Sequence, residues 1–418
     1  MLGFARDADG HARLSGTRLS DLIGAAGVAT PAYVYDLDAI AEEARALSGG
    51  FGGAPHVVAY AVKANSAGSI LRAIAATGAG ADVVSGAELE LVLACGFAPE
   101  RVVISGVAKT DAEIDLAIAR GILAIQAESV EEIERVAARA RAAKRRARLS
   151  LRVNPGVEID SHAHIATGHD AAKFGIARSG LDRAWQRVDA AGDALDVVGI
   201  SAHVGSMLAT VDPYLRSARA VCEAARARRV AGHPLQFIDF GGGFGIDYGS
   251  SAAPAPAEFA RAAVALLSSE ELSDLMLVVE PGRALVGAHG VLVASVVQGK
   301  RSGERRWAMI DAGMNDLIRP ALYAARHRIE PLDRPPSGPA SRVVGPVCES
   351  SDDFGEHELG DPLPQQVVIR DAGAYGYVMS SVYNGRALPA EVFVAGGAVQ
   401  SVSQSRGSAE WIESRLGA

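Results

Sequence analysis

Lys63, in the run Tyr60-Ala61-Val62-Lys63-Ala64-Asn65, closes an apolar stretch that begins at His56. Burying an unpaired ammonium costs several kcal/mol or forces its deprotonation. A lysine made less basic by its surroundings is what Schiff-base chemistry requires. The same residue also fits a side chain that snorkels to water or pairs with a carboxylate. Further along, comparable apolar runs end in equally unusual groups. His203 is followed three residues later by Ser206, then come Gly241-Gly242-Gly243-Phe244-Gly245 and Glu280-Pro281-Gly282-Arg283.

Each group has a use if one site gathers them. A glycine run lets backbone N–H groups approach a phosphate without Cβ interference, although by itself it is often a plain turn. Ser206 offers a hydroxyl to the same anion. Glu280, ending an apolar strand, needs a cationic partner. That partner is either Arg283 or a protonated pyridine nitrogen, which would keep a cofactor ring an electron sink. His203 can stack on the ring face or be a satisfied core histidine. One pyridoxal phosphate would occupy all of these groups. A metal is not indicated, because no His and carboxylate residues show helical ligand spacing.

The elements that must position them are legible from periodicity. Eight strand-like runs, His56–Val62, Ala81–Ser85, Arg101–Ser105, Ile122–Ala127, Arg148–Val153, Val197–His203, Gln236–Phe240 and Met276–Glu280, alternate with helix-compatible stretches. Repeating βα units predict a parallel sheet, and eight of them an α/β fold of the (β/α)8 TIM-barrel kind, with chemistry at the strands' C-terminal ends. Lys63, His203, the glycine run and Glu280 all fall there. Ser85…Glu88, Thr110…Glu113 and Ser129…Glu132 read as capping boxes, and Gly96 and Gly121 as helix stops. Past Glu280 the runs Val291–Gln298, Trp307–Ile310, Arg342–Val344, Gln366–Ile369 and Glu391–Val394 are short and separated by Gly and Pro. They predict a second, mainly antiparallel β domain. The expected division is a barrel over 32–285 and a β domain over 286–418, joined by residues 1–31.

A chain of 418 residues with 49% hydrophobic content can bury a large core and suits two domains. The net charge of −8 argues against nucleic acid as a partner. The basic run Arg139 to Arg148 falls late in an Ala-rich helix, where it suits the helix dipole. Cys95, Cys222 and Cys348 form no CxxC, so neither a disulfide framework nor a zinc site is expected. No signal peptide or membrane span is read, and a soluble, cytoplasmic protein is expected.

These runs resemble the fold-type III pyridoxal-phosphate decarboxylases, and within them the diaminopimelate decarboxylases. The resemblance extends from Pro31-Ala32-Tyr33-Val34-Tyr35-Asp36 to Tyr383-Asn384. It implies an alanine-racemase-like barrel plus β domain, with Lys63 as the Schiff-base lysine. It also implies His203 on the cofactor ring, Ser206, Gly241, Gly242 and Gly243 at the phosphate, and Glu280 with Gly282 and Arg283 in the EPGR run. Asp311-Ala312-Gly313-Met314-Asn315-Asp316-Leu317-Ile318-Arg319-Pro320-Ala321-Leu322-Tyr323 resembles the family's substrate segment. Arg319 and Tyr323, four apart, project together on a helical turn, and an arginine fork suits a carboxylate that is held rather than lost. Arg283 joins them as a substrate contact.

Gly345-Pro346-Val347-Cys348-Glu349-Ser350-Ser351-Asp352 is similar to the family's CESSD segment. There the resemblance implies Cys348 as a proton donor and Glu349 at the distal amino group, both reaching a neighbouring subunit's site in a homodimer. Without it, Cys348 reads as a buried small hydrophobe and Glu349 as a solvated carboxylate. Tyr375 is similar to the family's phosphate-binding tyrosine, which also contacts substrate; its other reading is a core aromatic. Ser161 to Gly168 resembles a lid, with His162 and His164 unassigned, and Asp82 could orient the lysine or serve a loop. The activity implied is decarboxylation of meso-2,6-diaminopimelate to L-lysine and carbon dioxide, the last step of lysine biosynthesis. The alternatives are a decarboxylase of a related amino acid and a non-catalytic protein that binds pyridoxal phosphate.

Overall fold

A computed structural model describes residues 2–157, 173–249 and 252–417. The chain divides into two compact units, one of Glu43–Ile246 with Ala252–Ala284, the other of Met1–Glu42, Asp247–Ser251 and Leu285–Ala418.

The first unit is a closed barrel of eight parallel strands. In chain order they are His56–Ala61, Gly80–Val83, Val102–Ile104, Ala124–Ala127, Ala147–Arg152, Leu195–Ser201, Phe237–Gly242 and Met276–Glu280. Each coincides with one of the eight predicted runs. Parallel strands with helices outside and side chains inside are buried on both faces, which is why the runs read as continuously apolar. The interior is filled by Val57, Ala59, Val103, Ala124, Val198, Phe237 and Val278. Phe237 occupies the space that Gly199 leaves, since a Cβ on Gly199 would meet its ring at 2.4 Å. With the barrel's interior plugged by hydrocarbon, polar groups collect at the strands' C-terminal ends.

Two of the three predicted capping boxes are incomplete. Thr110 and Glu113 bond reciprocally. Ser85 and Ser129 accept the Glu88 and Glu132 N–H groups at 3.2 and 3.1 Å. The Glu88 carboxylate, however, accepts from Val84 N–H at 2.8 Å, and that of Glu132 from Glu128 N–H and Lys109. The Glu132 carboxylate neutralises the buried Lys109 ammonium, a stronger claim than a cap bond.

The second unit is built on a sheet in which Gly290–Ser302 is the long central strand. It pairs antiparallel with Ala32–Asp36, Arg305–Ile310 and Gln366–Ile369. The strand Ala32–Asp36 corrects the expected boundary at residue 32, because it pairs with Gly290–Ser302 and Ala390–Ala395 and not with any barrel strand. All five of its residues are buried, so its composition alone could not show which sheet it joins. Residues 1–31 cluster with the same unit, where Leu14, Leu19 and Leu22 pack with Val34, Val291, Val368 and Val392. Asp353–Glu358, Ile329–Pro331 and Ala398–Ser403 are further strands that the sequence did not announce.

Candidate active site

At the barrel's mouth, Lys63 sits in the single 3-10 turn Val62–Ala64 directly after the first strand. The turn is tied to the eighth strand's exit by Ala61 N–H donating to the Pro281 carbonyl at 2.9 Å. Gly282 permits this approach, since its Cβ would lie 3.1 Å from the Cβ atoms of Ala61 and Ala64. The Lys63 ammonium is 2.9 Å from Asp82 Oδ2 and keeps 39% of its side chain exposed, whereas Asp82 is fully buried. Asp82 Oδ1 accepts from Ser105 at 2.5 Å. The second and third strands therefore hold the lysine in place while leaving its amine reachable, and Asp82 orients the lysine rather than serving a loop.

Glu280, at the end of the eighth strand, is buried and accepts from Gln126 Nε2 at 2.9 Å. The same nitrogen donates to Asp239 Oδ2 at 2.8 Å. Burial first, then the negative charges of Asp239 and Asp82, pushes the Glu280 carboxyl well above the ordinary range. His203 Nδ1 lies 3.8 Å from Glu280 Oε2 and accepts the Gly242 N–H at 3.2 Å. An accepting Nδ1 on a neutral ring leaves the proton on Nε2. Burial, with the charges of Arg152 and Lys63 behind it, holds the imidazole well below its usual pKa and keeps it neutral.

The glycine run has a packing purpose beyond the one expected. Gly241 and Gly243 adopt φ of +70° and +90°. A Cβ on Gly242 would meet the Glu280 carbonyl oxygen at 1.9 Å, and one on Gly243 the Gly205 carbonyl oxygen at 2.1 Å. The Gly241 N–H donates to Asp239 Oδ1 at 2.8 Å and that of Gly242 to His203. These two donors thus position the acid and the imidazole. Arg283 is buried, with Nη2 donating to the Ser206 hydroxyl at 3.2 Å. The structure gathers Lys63, His203, Ser206, Gly241–Gly243, Glu280, Gly282 and Arg283 at the C-terminal ends of strands of one barrel and on the segments that follow them.

Several groups escaped the sequence reading. Arg152 is buried and paired with Glu128 at 2.7 Å, its guanidinium 5.0 Å from the Phe174 ring centroid. Glu128 also accepts from Gly106 and Gly175 N–H at 3.2 and 2.8 Å. Gln126 and Asp239 were missed because both lie inside runs read as plain strand. A polar residue in a doubly buried strand was the available signal.

In the β unit, Arg319 opens the short helix Arg319–Tyr323 and is buried. Its Nη1 is 2.7 Å from His327 Nε2, and its guanidinium lies 4.7 Å over the Tyr248 ring. His327 Nδ1 donates to the Arg370 carbonyl at 2.9 Å, which leaves Nε2 as the acceptor for Arg319. Tyr323 ends the same helix and is half-buried. Cys348 and Glu349 are exposed on a turn, so neither is a core residue. The buried Asp352 carboxylate shapes that turn by accepting from Val347 and Met314 N–H, each at 2.7 Å. Glu349 accepts from Tyr383 at 2.6 Å and Cys348 N–H donates to Asn384 at 3.0 Å. Tyr375 is half-buried with φ of +55°, an uncommon conformation for a side chain of its size. The proposed lid, with His162 and His164, lies outside the described residues.

An amine at one strand end, a buried acid at the end of the neighbouring strand and a hydroxyl beside an arginine match the aldehyde, ring nitrogen and phosphate of pyridoxal phosphate. A barrel carrying this donor set defines a pyridoxal-phosphate-dependent enzyme. The family described as pyridoxal-dependent decarboxylase, pyridoxal binding domain, matches residues 37–287. Diaminopimelate decarboxylase of Vibrio cholerae is 40% identical over 406 residues, covering 96% of this chain and 95% of that protein. The corresponding protein of Pseudomonas aeruginosa is 40% identical over 370 residues, covering 88% of each. The crystal structure of the Helicobacter pylori diaminopimelate decarboxylase complexed with L-lysine is 32% identical, with a TM-score of 0.86 over 93% of this chain and 98% of that one. The chain belongs to the diaminopimelate decarboxylase family of pyridoxal-phosphate-dependent carboxy-lyases.

Proposed function

We propose that the protein decarboxylates meso-2,6-diaminopimelate to L-lysine and carbon dioxide, the closing step of lysine biosynthesis in the cytoplasm. The observation that carries this is the pairing of a reachable Lys63 amine with a buried Glu280 acid at one barrel mouth, in a chain 40% identical along 96% of its length to a diaminopimelate decarboxylase. When bound, pyridoxal phosphate supplies the electron sink for the bond that breaks.

The protein's residues hold, orient and protonate. Lys63 anchors the cofactor and is kept in place by Asp82. Glu280 stabilises a proton at the ring nitrogen, and neutral His203 lies against the ring. Ser206, Gly243, Arg283 and Tyr375 hold the phosphate, while Gly241, Gly242 and Gly282 allow the close approaches that place Glu280, His203 and Lys63. The Arg319 fork, fixed by His327 and Tyr248, holds the substrate carboxylate that is retained, with Tyr323, Arg283 and Tyr375 completing the contact. Remote binding energy is thereby spent on orienting the bond to be broken. The protein acts as a homodimer in which Cys348 protonates the product carbon, and Glu349 binds the distal amino group, in the partner's site. Their exposure on a turn held by Asp352 suits that role.

Purified protein incubated with pyridoxal phosphate and meso-diaminopimelate should release lysine and carbon dioxide in equal amounts. Ornithine, arginine and the LL isomer should release none. Lys63→Ala should lose turnover and the visible absorbance of the bound cofactor together. Full turnover by that variant, or release from ornithine instead, would overturn the assignment.

A further inference from the structure

His327 is buried, and both of its ring nitrogens are committed. Nδ1 stands 2.9 Å from the Arg370 carbonyl oxygen, which can only accept, so Nδ1 carries the hydrogen. Nε2 stands 2.7 Å from Arg319 Nη1, which can only donate, so Nε2 offers a lone pair. Together the two partners admit one state of the ring, the neutral Nδ1–H tautomer. An imidazolium would set N–H against N–H. The Tyr248 ring closes the arrangement. It lies edge-on to His327, with centroids 5.2 Å apart and planes at 80°, and its centroid is 4.7 Å from the Arg319 guanidinium. All three residues belong to the same compact unit.

The neighbouring charges are engaged elsewhere. Arg328 donates to Asp371 at 2.6 and 3.0 Å, and Arg370 sends its guanidinium to Glu330 at 3.1 Å and over the Phe4 ring. The imidazole that holds Arg319 is thus an acceptor without charge. We propose that His327 is a positioning residue that tunes the site for the substrate's retained carboxylate. It fixes the Arg319 fork through one hydrogen bond and leaves the positive charge of the fork to the ligand. A carboxylate at position 327 would bind the fork more strongly and neutralise it, so it would compete with the substrate. An aliphatic side chain would leave the fork without this acceptor. The inference deepens the proposed function and rests on Arg319 as the carboxylate-binding residue.

Titration calorimetry on the holoenzyme tests this with two probes: L-lysine, which keeps that carboxylate, and 1,5-diaminopentane, which lacks it. His327→Leu and His327→Glu should each weaken L-lysine binding about tenfold or more, the size of a lost hydrogen bond to a charged group. His327→Gln, whose amide oxygen can accept from Arg319 without charge, should stay within about threefold of the wild type. The diamine should bind the wild type and all three variants alike, which general damage to the site would not allow. Wild-type affinity for L-lysine in His327→Leu overturns the proposal, and so does wild-type affinity in His327→Glu, which provides the readout if the first variant does not fold. Arg319→Leu that binds L-lysine as the wild type does would instead remove the carboxylate role of Arg319, and the inference with it. Binding does not depend on turnover, so a failed decarboxylation assay would leave this test standing.

Discussion

A buried carboxylate must be paired or neutral, and the barrel mouth holds the two cases after different strands, Glu128 beside Arg152 and Glu280 raised by burial. Glu128 takes the first, through Arg152 and two backbone N–H groups. Glu128→Ala would strip the partner from an almost fully buried guanidinium, and breaking such a pair costs about 3–5 kcal/mol. The urea midpoint of the variant should fall accordingly, and an unchanged midpoint would mean that water already solvates Arg152. At this scale the sequence was readable where a residue is out of place in its surroundings. Lys63 and Glu280 each end an apolar run and stood out. Gln126 and Asp239 did not, because their importance lies in facing each other across the barrel from strands 113 positions apart. Likewise nothing in the spacing of Arg319 pointed to Tyr248 and His327 as the groups that fix it.

Elements set what a small substitution can do. A methyl group at position 242 would strike the Glu280 carbonyl oxygen, a backbone atom on the neighbouring strand. Gly242→Ala should therefore cost about 1–3 kcal/mol by overpacking and weaken pyridoxal phosphate binding, read as quenching of protein fluorescence on titration. Gly24, inside the helix Leu19–Ala26, has nothing within 4 Å of its Cβ position. There, alanine should raise stability by about 0.4–1 kcal/mol. The β unit carries a different liability in Glu391, whose carboxyl is pushed by burial to about 7 from an ordinary 4.5 while accepting from Tyr35 at 3.0 Å. Between those two values the unfolded chain releases a proton that the folded chain retains, so stability is full below the lower value and falls as pH rises through the upper one. Glu391→Gln should remove part of that fall, on the order of 3 kcal/mol from the size of the shift, measured as urea midpoints at pH values either side of the window. Asp316, also raised to about 7, would keep part of the slope. A slope equal to the wild type's would show that Glu391 is ionised in the folded protein. The eight barrel strands were legible because doubly buried strands leave unbroken apolar runs. Asp353–Glu358 was not, because its Asp-Phe-Gly-Glu-His-Glu sequence buries little and pairs with Ala340–Val344 at the sheet's edge.

For the whole molecule, the question is whether one chain suffices for a site. Cys348 and Glu349 stand exposed on their turn, and exposed groups do chemistry only where another surface covers them and excludes water. A homodimer in which each turn completes the partner's barrel site makes a prediction that needs no further structure. Lys63→Ala and Cys348→Ala should each be nearly inactive as pure proteins. Mixed in equal amounts and allowed to exchange subunits, half the dimers become hybrids, in which one site carries both defects and the other carries neither. Activity should then return to about one quarter of the wild-type value, as expected for a twofold assembly with shared sites. Should the mixture stay as inactive as its components although exchange is verified by labelled subunits, each chain would have to supply its own Cys348, and the sites would not be shared. The same mixing with Glu349→Ala in place of Cys348→Ala separates the two residues, because a substrate-binding group is partly rescued by raising substrate concentration and a proton donor is not.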